Sequence, residues 1–200
     1  MCKYAENSLV EDDLDSNPVL QFYKGAQEEH SLPLPILTRI SNKILSLCNY
    51  GLNLGVCKGL IKAVEANPEL FQGIIFDRNS IQDEEFAQLL NGMIKLDHLK
   101  KIVYKNNDIR LQSIDRLGPI LARQKPMQLE ELRIVNCPIG ATATNALIEI
   151  LVDQSNLTKF GLVKSAFSDV SFPNLCQYVA HSRTLREIDI SNNGLRPKQM

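Results

Sequence analysis

Histidines, cysteines and paired carboxylates are where reaction chemistry would begin, and in this chain they are scattered. His30, His98 and His181 share no spacing with a cysteine or an aspartate. General acid–base work needs partners within hydrogen-bond reach, so solvated or capping roles are expected for all three. The five cysteines, Cys2, Cys48, Cys57, Cys137 and Cys176, are odd in number and include no Cys-x-x-Cys pair. That spacing argues against zinc and against a disulfide framework. Buried free thiols in a reducing compartment are expected instead, with Cys137 and Cys176 read as core residues. Glu84-Glu85 and Glu130-Glu131 read as charges at a helix start and a strand edge rather than as acid/base dyads. Lys58-Gly59 and Asn91-Gly92 are isolated dipeptides within helical patterns and build no phosphate loop. The sequence implies no catalytic group, no cofactor and no metal.

One residue type does recur at fixed spacing, and its chemistry is hydrogen bonding. Asn79, Asn107 and Asn193 alternate with Cys137 and Ser165 in steps of 28, 30, 28 and 28 residues. Each closes the pattern L-x-x-L-x-L-x-x-N-x-L. The cleanest copy is Leu185, Ile188, Ile190, Asn193 and Leu195; another is Phe71, Ile74, Phe76, Asn79 and Ile81. A weaker first copy centres on Tyr50, with Asn42 where the leading apolar residue belongs. The side chains of Asn79, Asn107, Cys137, Ser165 and Asn193 are expected to turn inward and hydrogen-bond loop backbone, more weakly at Cys137 and Ser165.

The elements that position this ladder follow from periodicity. Apolar residues stand ten, eleven and fourteen places after the Asn position, as Leu60, Ile61 and Val64, then Leu89, Leu90 and Met93, then Leu147, Ile148 and Leu151, then Leu175, Cys176 and Val179. These offsets trace one face of a helix. Each unit is therefore strand, loop, helix and return loop. No unit buries its apolar face alone, so the units stack. The prediction is an α/β solenoid of about six units, with a curved parallel sheet on the concave face and helices on the convex face. Asp83 is expected to cap one helix and Ser168-Asp169 another, and Pro119 to bend or break the third helix.

Formal net charge is −1, which gives no bulk attraction for nucleic acid or anionic membrane. The charge is uneven, with an acidic leading segment at 1–35 and a mildly basic remainder. Residues 1–35 are expected to be partly disordered and partly an N-terminal cap, with a short helix over Leu14–Tyr23, and residues 36–200 to form the repeat domain. No signal-peptide core and no run of roughly 18 apolar residues occurs, so a cytoplasmic setting is expected.

Helical units of this length, with Cys accepted at the Asn place, resemble the ribonuclease-inhibitor-like class of leucine-rich repeats over roughly residues 40–200. The class includes tropomodulins, the Ran GTPase-activating protein, NOD-like receptor sensors and ciliary and cytoskeletal scaffolds. The resemblance implies a non-enzymatic protein-binding module, a scaffold or adaptor, acting through the concave face. Two alternatives go with the class: a small-GTPase regulator of the Ran-activator type, for which Arg78 and Arg110 are the candidate arginines, and a structural component of a cytoskeletal or ciliary assembly.

Register places Ile75 beside Val103 and Val135 beside Val163, with Lys105 and Arg133 between them. These six residues are the candidate concave binding surface, ringed by Arg78, Lys101, Lys159 and Lys164 and turning acidic at Glu187 and Asp189. The last unit is followed by no helix pattern within the sequence, so the outer edge of its strand is expected to be open. That expectation points to a longer array, a covering partner or second copy, or fraying.

Overall fold

The computed structural model describes residues 16–32, 35–93, 96, 98–111, 113–115, 129–152 and 157–196. Seven strands form one sheet in chain order: β1 (Ile40–Ser41), β2 (Ile44–Cys48), β3 (Gly73–Asp77), β4 (Lys101–Lys105), β5 (Glu131–Val135), β6 (Lys159–Val163) and β7 (Glu187–Asp189). From β2 onward every pairing is parallel. The pairing register matches the repeat alignment: Ile75 lies opposite Val103, and Val135 opposite Val163. Five α-helices are described: α1 (Pro18–Glu28), α2 (Leu54–Ala66), α3 (Asp83–Met93), α4 (Gly140–Val152) and α5 (Phe172–His181). The fold is the expected α/β repeat solenoid.

The core runs between sheet and helices. At the Leu places, Leu45, Leu47, Ile74, Phe76, Ile102, Leu132, Ile134, Phe160 and Leu162 are all buried. They meet the helix faces formed by Leu60, Val64, Leu89, Met93, Leu147 and Leu151. Each such side chain contributes about 1.5–3 kcal/mol when taken from water. Phe86 of α3 sits tilted over Tyr104 of the next strand at 4.0 Å between ring centroids, and Phe76 meets each edge-on at 6.5 Å. These contacts join successive units as well as the two layers.

Several sequence readings shift. Where a short helix over Leu14–Tyr23 is expected, a helix runs from Pro18 to Glu28, and the Asn17 side chain caps it by accepting from Val19 and Leu20 N–H. It continues past the expected end at Tyr23 to Glu28, passing through Gly25. An added Cβ there would lie 2.8 Å from Gly59 Cα, and one at Gly59 would lie 2.6 Å from the Phe22 carbonyl. The two glycines therefore let α1 and α2 touch backbone to backbone. The residues Leu14, Pro33 and Pro119 lie outside the described part of the chain.

The degenerate first unit has a conformational reason. Asn42 and Lys43 both take left-handed backbone, with φ of 50° and 60°. They form the two-residue turn that folds β1 antiparallel onto β2, so the leading apolar place is spent on a turn.

Helix starts differ too. Glu85, three residues into α3, accepts from the Gln82 N–H at 3.0 Å and closes that helix end. Asp83 reaches the next unit instead, accepting from Arg110 N–H at 2.6 Å and Ser113 N–H at 3.2 Å. Ser168-Asp169 fall in a turn, and α5 begins only at Phe172, after Ser171. On α5, Cys176 and Val179 are exposed rather than buried, since no following helix packs on that face among the described residues.

Candidate functional site: the concave face and its hydrogen-bond ladder

The recurring polar residue of each unit ties its strand to the one before. Asn79 Nδ2 donates to the Leu47 carbonyl at 3.0 Å, and its Oδ1 accepts from Tyr50 N–H at 2.9 Å. Asn107 repeats this one unit on, donating to the Phe76 carbonyl at 3.3 Å and accepting from Asn79 N–H at 2.7 Å. Asn193 donates to the Leu162 carbonyl and accepts from Ser165 N–H at 2.8 Å. Cys137 and Ser165 keep only the donor half. Cys137 Sγ lies 3.8 Å from the Tyr104 carbonyl, and Ser165 Oγ donates to the Ile134 carbonyl at 3.1 Å. Neither side chain makes the hydrogen bond from the preceding N–H that the Asn amide oxygens accept.

A second ladder escaped the sequence reading. The residue just before each ladder position, Asn49, Arg78, Asn106, Asn136, Lys164 and Asn192, is left-handed, with φ between 48° and 60°. That turn aims its N–H at a carbonyl of the next strand: Asn49 at Asp77, Arg78 at Lys105, Asn106 at Val135, Asn136 at Val163 and Lys164 at Ser191. Asparagine tolerates this conformation best after glycine. The signal was present as four asparagines sharing one offset. Arg78 and Lys164 occupy the place at a cost other residues of the lane avoid. Along the same lane Asn136 Nδ2 donates to Asn106 Oδ1 at 2.7 Å, and Asn106 Nδ2 to the Asp77 carboxylate at 2.6 Å.

The side chains facing outward from the sheet divide into two halves. Toward the strand starts, one row reads Lys101, Glu131, Lys159, Glu187, with signs alternating across the sheet. Lys101 pairs with Glu131 at 2.8 Å, and Lys159 approaches Glu187 at 3.7 Å. Arg133 lies across Gly161, where an added Cβ would meet its side chain at 3.2 Å. It bonds Glu131 through Nε at 2.8 Å and Glu187 through Nη2. Burial alone would raise the Glu131 carboxyl. Hydrogen bonds and charge from Lys101 and Arg133 outweigh that and hold it below the ordinary range.

Toward the strand ends stand Lys105, Val135 and Val163, each half-buried, flanked by exposed Arg78 and Lys164. Among the described residues Lys105 forms no ion pair. Asp77 lies beside it in the sheet, but its carboxylate is engaged by Asn106 and by Arg78 Nε at 3.5 Å.

The six expected surface residues thus separate. Ile75, Lys105, Val135 and Val163 are open to a partner. Val103, at 3% exposure, is buried in the floor of the face. Arg133 is tied into the ion pairs of the other half. The thiols also divide: Cys48 and Cys176 are exposed, while Cys57 and Cys137 are buried, all four free. Burial, then the nearby Glu85 charge, pushes the Cys57 thiol up to about 12; burial pushes Cys137 up to about 11. His98 lies 3.0 Å from Glu69, and His181 Nδ1 contacts the Gln177 carbonyl at 2.7 Å. Among the described residues no three His, Cys, Asp or Glu side chains are placed to hold a metal, and no helix is long and apolar enough to cross a membrane.

Stacked strand–helix units, a parallel sheet in repeat register and an inward polar ladder define a leucine-rich-repeat solenoid. No family model matches the chain. Among proteins of known identity, the ribonuclease inhibitor of Sus scrofa is 28% identical to it over 153 residues, which cover 76% of this chain and 33% of the inhibitor. The chain spans about a third of the length of that relative. The likeness supports the ribonuclease-inhibitor-like class without singling out a particular protein.

Proposed function

We propose that the chain is a non-enzymatic interaction module whose concave face holds another protein. The observation that carries this reading is the open row of Lys105, Val135 and Val163, half-buried aliphatic side chains beside a cation that has no described ion-pair partner. Apolar area rimmed by charge is the composition of a recognition patch. The relative's name, an inhibitor of ribonuclease, describes action on another protein, which favours the same general use. Residues 36–200 serve as the binding unit, with α1 as its cap, and the four free thiols suit a reducing, cytoplasmic setting.

Of the two arginines raised for GTPase regulation, Arg110 is paired with Asp108 at 3.2 Å and Arg78 sits against Asp77. No observation favours that alternative or a cytoskeletal role over the general one. Site-specific photo-crosslinking tests the proposal. A benzoylphenylalanine placed at Val135 should yield a discrete adduct with a second protein in cells, and one placed at Val152, exposed on α4, should not. Adducts from the Val152 position alone would overturn it.

A further inference from the structure

We infer that the docking segment of the partner is acidic and aliphatic, and that it lies across the strand-end half of the concave face, over Lys105, Val135 and Val163 and between Arg78 and Lys164. This rests on the protein-binding reading above and names the chemistry of the partner.

The two halves of the face differ in what they offer. In the strand-start half every cation is answered from within: Lys101 by Glu131, Arg133 by Glu131 and Glu187, and Lys159 by Glu187. A carboxylate arriving there has to displace a resident one, and a cation has to displace Arg133 or a lysine. Neither exchange gains charge contacts. In the strand-end half, Asp77 offsets one of Arg78, Lys105 and Lys164, which leaves two positive charges without an ion-pair partner among the described residues. Asn136 of that lane donates to Asn106, and Asn106 donates to Asp77, so the Asp77 carboxylate already has a partner other than Lys105.

Dimensions set the size of the segment. From β3 to β6 are three inter-strand steps, about 14 Å at the usual spacing. An extended segment of about four or five residues crosses that distance. A carboxylate at each end meets Arg78 or Lys105 on one side and Lys164 on the other. A branched aliphatic side chain between them rests on Val135 and Val163, which share one row of the sheet. A basic segment would bring like charge against Lys105 as it loses water, which is unfavourable.

The test uses the full chain, isotopically labelled for amide NMR, and two synthetic probes: the acetylated peptide Gly-Glu-Leu-Glu-Leu-Glu-Gly and its counterpart with Lys for every Glu. The acidic peptide, titrated to millimolar concentration, should shift the amides of Lys105, Val135, Val163 and Lys164 saturably. Its affinity should fall as salt rises. Reversal of both lysines, Lys105→Glu with Lys164→Glu, should weaken it by about tenfold or more, while Arg133→Ala should leave it within about twofold. Lys105→Gln with Lys164→Gln, which adds no negative charge, serves as the milder pair if the reversal disturbs folding. Absence of shifts with the acidic peptide, shifts centred on Lys101, Glu131 and Glu187, or equal binding of the lysine peptide would each overturn the inference. Failure here and failure of the interaction reading are separable. A crosslinked partner segment from the Val135 position that is not acidic sinks the inference alone, whereas absence of any adduct from that position sinks both.

Discussion

Removal of the Asn79 side chain probes the ladder where it is complete. Asn79 is fully buried, and its amide makes one bond in each direction: Nδ2 to the Leu47 carbonyl and Oδ1 from the Tyr50 N–H. Asn79→Ala leaves both backbone groups without that partner. An orphaned buried group costs about 1–3 kcal/mol. Tyr50 is only half-buried, so water recovers part of its N–H, and the sum comes to about 3 kcal/mol. Ser165→Ala is the internal control. Its hydroxyl carries a single proton shared between the Ile134 and Val163 carbonyls, and no backbone N–H bonds to it. Its loss costs about 1 kcal/mol. With a urea slope of about 2 kcal/mol/M for a chain of this size, the midpoints should fall by about 1.5 M and about 0.5 M respectively. Circular dichroism with the slope compared across variants reads these shifts. Amide exchange gives a second, local readout: Tyr50 should accelerate in Asn79→Ala beyond the global change. Equal midpoints for the two variants would refute the claim that the acceptor half of the amide, absent at Cys137 and Ser165, is what distinguishes Asn here. So would an unaltered Tyr50 amide.

The other expectations are briefer. Gly59→Ala places a methyl 2.6 Å from the Phe22 carbonyl, so α1 should be pushed off α2 at a cost of about 1–3 kcal/mol, read as faster amide exchange in α1 than in α4; equal protection would count against the close glycine contact. Glu131 is held below its ordinary range in the folded state. Its contribution is therefore complete above the unfolded value of about 4.3 and lost as pH falls through the lower folded value. The stability gap between the native chain and Glu131→Gln should stay level near neutral pH and shrink below about pH 4; a gap independent of pH would contradict the pairing. Of the four described thiols, Cys48 and Cys176 should react with a disulfide reagent in the native state, and Cys57 and Cys137 only after unfolding. Labelling of all four at similar rates, mapped by peptide mass, would contradict the burial pattern.

The parts of this fold that were readable in the sequence are those fixed by side-chain period. Strand register followed from the Leu places because alternate residues of a strand must face opposite sides, and a slip of one would have buried Lys101 and exposed Ile102. The inward direction of Asn79 and Asn107 followed from the same alternation and from the need to pair loop backbone. What the period does not encode is reach. Arg133 faces the surface as its direction implies, but its partners lie along its own strand at Glu131 and across Gly161 at Glu187, two strands away, and the gap left by the missing Cβ of Gly161 on the strand between is a three-dimensional fact. Val103 points outward as expected and is buried nonetheless, between Ile75 and Arg133 in its row. Asp83 has the residue type of a cap, yet it is already the first residue of α3 and its carboxylate accepts from two N–H groups of the next unit, those of Arg110 and Ser113.

The left-handed lane shows how the site and the scaffold depend on each other. From Asn49 to Lys164, each turn before the ladder position aims an N–H at the following unit, and the same turn sets the direction of the side chain it carries. Where that residue is Asn, the amide extends the hydrogen-bonded lane. At Arg78 and Lys164 the strain of a positive φ is accepted by residues that less often adopt it, and the consequence is a cation held at each end of the Lys105–Val135–Val163 row. Replacement of Arg78 and Lys164 by Asn should therefore relieve backbone strain and, on the inference above, weaken binding of an acidic segment. Both changes in one pair of substitutions, opposite in sign for stability and for affinity, would tie the strained turns to recognition. A loss of stability in the same variants would instead mean that the two cations serve the fold.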